Sequence, residues 1–279
     1  MSFDMKLPSV DASYLLGDTS AEHQRLIRQA AIFEPFTERL FRDAGVGPGQ
    51  RVLDIGSGVG DVAMLAARLT GPTGEVVGVE RDATTLAMAR SRVDKAGLSN
   101  VRFLEADVGL VPSSEPFDAV VGRLILEFMP DPGAIVGSLA ALVRPGGLII
   151  FQDACWGPWL QLTAPLPLRG KCASIIYRAF ERSGANMDME FVLYRALQAA
   201  GLPAPRMRVE VPVGDEPDIA RWVYDLFCTL LPQMREEDLP NDMFGDLDTL
   251  QSRLEAERVA AKAFGACVGL VGAWSLKGG

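Results

Sequence analysis

One nine-residue run, Val52-Leu53-Asp54-Ile55-Gly56-Ser57-Gly58-Val59-Gly60, has the residue types and spacing of a ligand-binding turn. Glycine at 56, 58 and 60 lets the main chain approach a bound molecule with no side chain in the way. Glu80 stands 20 residues after Gly60, and a second acid, Asp107, lies in Glu105-Ala106-Asp107-Val108. A carboxylate at the end of a strand accepts hydrogen bonds from the two ribose hydroxyls of an adenosine. Asp107 is suited to accept from the exocyclic amine of adenine. Each feature alone has a plainer reading: a tight turn, a solvated strand-end charge, a helix or turn cap. Together, on one edge of one sheet, they point to a bound adenosine.

The surrounding pattern predicts the elements that would hold them. Short apolar strands are expected at 51–55, 75–80, 101–107, 117–122 and 148–153, with helices at 59–69, 83–96 and 132–143 between them. Asp82 and Asp131 are in N-cap positions, Asp131 ahead of Pro132 at the first helical position. Strand and helix in regular alternation imply a parallel sheet covered on both faces. The near-continuous apolar strands fit that burial. After Asp153 the pattern loosens: a helical stretch at 174–183, a helix at 189–200, a strand at 206–213, helices across 215–264 and a last strand at 267–276. The fold class expected is therefore α/β, a Rossmann-like doubly wound, seven-stranded, mostly parallel sheet, with helical insertions at about 154–190 and 215–262 forming a cap. Ahead of it, 1–44 reads as an arm and lid helix opened by the capping box Thr19-Ser20-Ala21-Glu22, with Pro35 as a kink site. Residues 45–153 form the cofactor-binding core and 154–279 the remainder.

Charge selects among adenosine cofactors. A dinucleotide fingerprint would continue Gly-x-Gly-x-x-Gly, but position 61 is Asp61 and Gly60 comes one residue early. A carboxylate there opposes a pyrophosphate and suits a ligand with an amine, such as S-adenosylmethionine (SAM). Asp54 is well placed near that ammonium. Val52 to Gly60, Glu80, Ala106-Asp107 and Arg144-Pro145-Gly146-Gly147 resemble the successive motifs of class I SAM-dependent methyltransferases. Phe117 to Arg123 followed by Pro130-Asp131-Pro132 resembles the branch holding ubiquinone/menaquinone C-methyltransferases and bacterial natural-product methyltransferases. The resemblance implies SAM as cofactor and S-adenosyl-L-homocysteine as its product. It places Gly122 and Arg123 at the methionine end, open to the substrate, and Tyr14, in Tyr14-Leu15-Leu16-Gly17, on a lid. Arg81 and Val108, which follow the two acids, are counted with Asp54, Gly56, Ser57, Gly58, Glu80 and Asp107 as cofactor residues.

Transfer from a sulfonium is an in-line displacement in which the protein supplies alignment and desolvation. The base candidates are His23, the only histidine, Glu127 past the fourth strand and Asp153 at the end of the fifth; a pre-ionised substrate needs none. The plainer reading of His23 is an ordinary surface residue beside Glu22, and it is the natural base only if it faces the pocket. Trp156 and Trp159 follow the fifth strand and either wall an aromatic or apolar substrate or plug the insertion's own core. Tyr177 and Trp222 carry the same two readings. Arg123 is suited to the SAM carboxylate, to an acidic substrate or to a structural ion pair.

The whole chain narrows the class further. Its 279 residues carry a formal charge of −9, and no Lys/Arg cluster supplies a footprint for nucleic acid. The four cysteines are scattered without a Cys-x-x-Cys pair, and no His/Cys/carboxylate cluster reads as a metal site. No apolar run approaches a membrane-spanning length and the first ten residues lack a signal-like stretch, so a cytoplasmic enzyme of small-molecule, secondary-metabolite chemistry is expected, with a homodimer compatible. Two other readings stand beside it: an NAD-dependent oxidoreductase, which Asp61 and the lack of a Tyr-x-x-x-Lys site disfavour, and a SAM-binding family member without methyl transfer.

Overall fold

The structure, a computed structural model, describes residues 20–108, 111, 115–234 and 244–278. Tyr14 with its arm, and the Thr19 cap, lie outside the described residues. The order is α1 (Ser20–Ala44), β1 (Arg51–Ile55), α2 (Asp61–Thr70), β2 (Glu75–Glu80), α3 (Ala83–Lys95), β3 (Val101–Glu105), β4 (Phe117–Arg123), α4 (Pro132–Ala141) and β5 (Val143–Cys155). Then follow α5 (Trp156–Thr163), α6 (Pro167–Arg182), α7 (Met189–Ala199), β6 (Arg206–Glu210), β7 (Val213–Gly214), α8 (Pro217–Leu230), α9 (Leu250–Ala260), β8 (Gly265–Ala266) and β9 (Gly269–Leu276).

Seven strands pair in the order β3-β2-β1-β4-β5-β9-β6. β1 to β5 are parallel, and β9 runs antiparallel between β5 and β6. The chain steps outward from β1 to β3 and then crosses back to β4. The C-terminal ends of β1 and β4 therefore diverge into the crevice where ligands bind in such sheets. Val52, Leu53 and Ile55 of β1 and Val76, Val77 and Val79 of β2 are fully buried, because helices cover both faces. α4 and α7 pack on one face with Leu53, Val120 and Phe151; α1 and α2 pack on the other with Val52, Val121 and Ile150.

α5, α6, α8 and α9 share a separate apolar core with Phe33 of α1, built around Trp156, Trp159, Trp222 and Phe227. Ala154 of β5 and Leu270 of β9 belong to that core. The cap is thus seated at the C-terminal end of β5, on the crevice side. α1 runs unbroken through Pro35. A proline inside a helix costs about 3 kcal/mol. Burial of Phe33, Leu40 and Phe41 on the inner face offsets it at about 1.5–3 kcal/mol each.

Several boundaries differ from the sequence reading, each for a local reason. α2 starts at Asp61 rather than 59, because Gly56, Gly58 and Gly60 sit at φ 61°, 50° and 89°, outside helical space. β3 ends at Glu105, not 107. β5 begins at Val143, which pairs with Phe117 before a register shift. The helical part of the first insertion starts directly after β5, in two helices, not at 174. β6 stops at Glu210: Pro212 has no N–H to donate, and Val213 pairs instead with Ala266 of β8.

Candidate active site

The glycine turn is tied to the two neighbouring strand ends. Ser57 N–H donates to the Val79 carbonyl at 2.9 Å. Gly58 N–H donates to Glu80 Oε2 at 3.1 Å, and Glu80 Oε1 accepts from Arg81 and Asp82 N–H at 2.8 and 3.1 Å. Ala106 N–H donates to the Glu80 carbonyl at 3.1 Å. The end of β3, with the exposed Asp107 and half-buried Val108, is thereby fixed beside Glu80. Asp82 caps α3 as expected, accepting from Thr85 N–H at 2.6 Å. Arg81 is exposed.

The end of β1, where it parts from β4, is marked by unsatisfied polar atoms. Both carboxylate oxygens of Asp54 and the Ser57 hydroxyl are buried with no hydrogen-bond partner. Burial drives the Asp54 carboxyl well above its ordinary range; Arg123 opposes the shift, while Asp61 and Glu80 add to it. Arg123 donates to Thr37 Oγ1 at 3.1 Å, and that hydroxyl donates to Gln152 Oε1 at 2.7 Å. Gly122 is buried, and a Cβ there would meet Ile125, Phe151 and Ile55 at 3.0–3.1 Å. Asp61 is ion-paired with Arg92 at 2.6 Å, so its charge is less available to repel a pyrophosphate than the sequence implied.

The base candidates fall in two places. His23 is 4% exposed, not a surface residue, and its Nε2 lies 3.1 Å from Thr85 Oγ1 in the first turn of α3. That puts it beside α3, which follows β2, with β1 between β2 and the β4 end. Glu127 and Asp153 lie together under the turn after β4. Asp153 Oδ1 accepts from Ile125 and Glu127 N–H at 2.9 and 3.2 Å, while Asp153 Oδ2 and Glu127 Oε2 are buried without partners.

The aromatic candidates build the cap. Trp159 is fully buried and donates its indole N–H to the Ala266 carbonyl at 3.1 Å; Trp222 donates to Gln29 Oε1 at 3.1 Å. The two rings meet edge-on at 5.3 Å. Trp156 packs on Phe180 at 4.8 Å and on Tyr177 at 6.2 Å, and its indole N–H is buried without a partner. Tyr177 is half-buried.

Sequence reasoning missed Thr37, Gln152 and Arg92. Their signal is tertiary: each acts on a residue at least 31 positions away. Among the described residues no helix is long and apolar enough to cross a membrane, and no group of three or more His, Cys, Asp or Glu is placed to hold a metal.

The sheet order and the glycine turn at its switch point define a Rossmann-like protein with an adenosine-type crevice. A family model described as a methyltransferase domain matches residues 47–190. The arsenite methyltransferase of Halobacterium salinarum is 32% identical over 125 residues, 44% of this chain and 30% of that protein. Methyltransferase GfsG of Streptomyces halstedii is 33% identical over 150 residues, 53% of each. The ubiquinone/menaquinone biosynthesis C-methyltransferase UbiE of Pseudomonas putida is 35% identical over 112 residues, 39% of this chain and 44% of that protein. The chain thus spans about half or less of the length of these relatives. A putative methyltransferase from Bacillus halodurans C-125 superposes with TM-score 0.58 at 15% identity, covering 86% of this chain and 98% of that one. The [4+2]-cyclase SpnF superposes with TM-score 0.53 at 18% identity, covering 88% and 81%. These two share the fold. The chain belongs to the class I SAM-dependent methyltransferase family, whose cofactor is SAM.

The residues fit that cofactor. An ammonium is the group that satisfies a buried, unpartnered carboxylate such as Asp54. Gly58 has open space where a Cβ would stand, leaving the turn free on its ligand side.

Proposed function

We propose that this chain transfers the SAM methyl group to a C, O or N atom of a small, aromatic or apolar metabolite. The observation that carries the reading is the pair of buried polar groups without partners at the end of β1, the Asp54 carboxyl and the Ser57 hydroxyl. Buried polar groups of folded proteins are nearly always paired. Two such exceptions at the switch point of the sheet are what groups kept for a ligand would look like.

In this reading Glu80 accepts from the ribose hydroxyls and Asp107 from the adenine amine, flanked by Arg81 and Val108. Gly56, Ser57 and Gly58 pass beneath the adenosine, Asp54 holds the ammonium, and Gly122 and Arg123 line the methionine end. Tyr14 is assigned to the lid on resemblance. When bound, SAM supplies an electrophilic methyl group on a sulfonium. The protein orients the acceptor, excludes water under the cap and keeps anionic groups near the positive charge; alignment of this kind is worth about 7–11 kcal/mol.

The named relatives act in arsenite and quinone chemistry, so family does not select the acceptor. The aromatic cap beside β5 favours an apolar one. Trp156 and Tyr177 are the wall residues we assign, since Trp159 and Trp222 have their indole N–H groups paired within the protein. The test is transfer of labelled methyl from SAM to a panel of phenols, quinols and terpenoids. Product from an apolar acceptor supports the reading. Binding of SAM with no transfer to any acceptor would favour a member without methyl-transfer activity, and binding of NAD in place of SAM an oxidoreductase.

A further inference from the structure

The turn between β4 and α4 is held in an unfavourable shape. Leu124 has φ 54°, a left-handed conformation rare for a residue with a branched side chain. Such strain persists only where the surroundings over-determine it. Here Leu124 N–H donates to the Gln152 carbonyl at 2.8 Å, and Asp153 Oδ1 takes both the Ile125 and the Glu127 N–H. The turn so fixed presses Ile125 onto the glycine loop: a Cβ on Gly56 would lie 2.6 Å from Ile125 Cδ1. Asp153 therefore reaches the cofactor loop through Ile125.

The remaining oxygens of the pair, Asp153 Oδ2 and Glu127 Oε2, are both buried and both unpartnered. Asp153 and Glu127 meet through the Glu127 N–H, and a proton kept on one of the two carboxyls spares the buried turn two like charges. We infer that Glu127 and Asp153 are positioning residues that share one proton, and that this proton locks the 124–127 turn against the glycine loop that grips the cofactor. The inference rests on the cofactor reading above.

The electrostatics agree with the geometry. Burial raises both acids, Asp153 to about 7 and Glu127 well above its ordinary value, the latter further raised by the Asp153 charge. Asp153, with two N–H donors, is the better anion, so Glu127 keeps the proton. On the neighbouring α7, Glu190 bonds Cys155, and Asp188 before it bridges the Cys155 main chain; neither acid is among the groups that shift the two carboxyls. Among the described residues no Lys or Arg pairs with either carboxylate.

The test is calorimetric titration with S-adenosylhomocysteine from pH 6.5 to 9.5 on the wild type, Glu127→Gln and Asp153→Ala, with apo melting curves at each pH. Comparison at equal pH cancels the ligand's own titration. The wild type should lose affinity at least fivefold at the alkaline end as the shared proton leaves. Glu127→Gln, whose amide donates at every pH, should remove most of that loss and flatten the alkaline fall in apo Tm. Asp153→Ala, where folded, should bind at least tenfold more weakly at neutral pH. A Glu127→Gln variant with the wild-type alkaline profile in both readouts overturns the proposal, as does a folded Asp153→Ala with wild-type affinity. Absence of binding by the wild type at every pH defeats the cofactor reading instead, and the apo melting profile still decides whether the proton is shared.

Discussion

Asp54 on β1 and Arg123 on β4 face each other across the switch point without closing an ion pair. Val121 pairs with Asp54 in the ladder, and Arg123 lies two residues further on the same face. Each feels the other's charge, yet Arg123 bonds Thr37 and both Asp54 oxygens stay unpartnered. In the proposed function the two groups, held apart, are a complementary pair of contacts for a zwitterionic amino-acid end.

Asp54→Asn keeps the shape and removes the charge. Cofactor affinity should fall by about 1.5–3 kcal/mol, the range for hydrogen bonds to charged groups. The apo protein should melt at the same temperature or higher at alkaline pH, where burial opposes the ionised carboxyl that the variant lacks. Calorimetry and thermal melts check both, and a lower Tm with unchanged affinity would assign Asp54 to structure alone.

Glu80→Ala should also weaken binding by about 1.5–3 kcal/mol, but part of that loss arises from the protein itself. Its carboxylate accepts from Gly58, Arg81 and Asp82 N–H groups, so the variant also loosens the glycine turn. Glu80→Gln separates the effects, because the amide oxygen still accepts from the loop. Affinity for S-adenosylhomocysteine, measured for both, should rank wild type, then Gln, then Ala; an unchanged Glu80→Ala affinity removes the ribose assignment.

Buried acids fix the sign of the pH dependence of stability, three of them at the crevice and Glu22 on α1 acting in the same direction. Asp54, Glu127 and Asp153 all hold protons more tightly when folded than when unfolded. Their contribution is complete below the ordinary carboxylate range and is lost as pH rises, for Asp153 through about 7. Acids held below their ordinary range, such as Asp82 and Asp118, act oppositely, and only at pH near or below 4. The apo protein should therefore melt higher at pH 5.5 than at pH 8. A Tm that rises across that interval would contradict the burial of these carboxyls.

His23→Ala removes the contact between α1 and Thr85. It should cost about 0.5–1.5 kcal/mol of stability and leave cofactor affinity and the pH profile of turnover nearly intact. Loss of turnover that added imidazole restores would make His23 the base after all.

The strands of the core and Asp82 and Asp131 as caps were readable because local pattern decides them. Strict apolar runs, glycines at a turn and an aspartate before a helix each act within a few residues. The burial of His23 and the roles of Trp159 and Trp222 were not readable: they depend on Thr85, Ala266 and Gln29, which lie 62, 107 and 193 residues away in the chain. The coupling of Glu127 to Asp153 was hidden for the same reason. Each was visible as a lone acid near a strand end, but the hydrogen bond joining them, like the one from Ile125 to the same carboxyl, crosses from β5 to the turn after β4.

Titration of the purified protein with S-adenosylhomocysteine and SAM, with NAD as control, tests the central claim most directly. The account predicts saturable binding of both sulfur compounds at one site per chain, none of NAD, and loss of most of that affinity in Asp54→Asn. No heat and no thermal shift with either sulfur compound at millimolar concentration would contradict it.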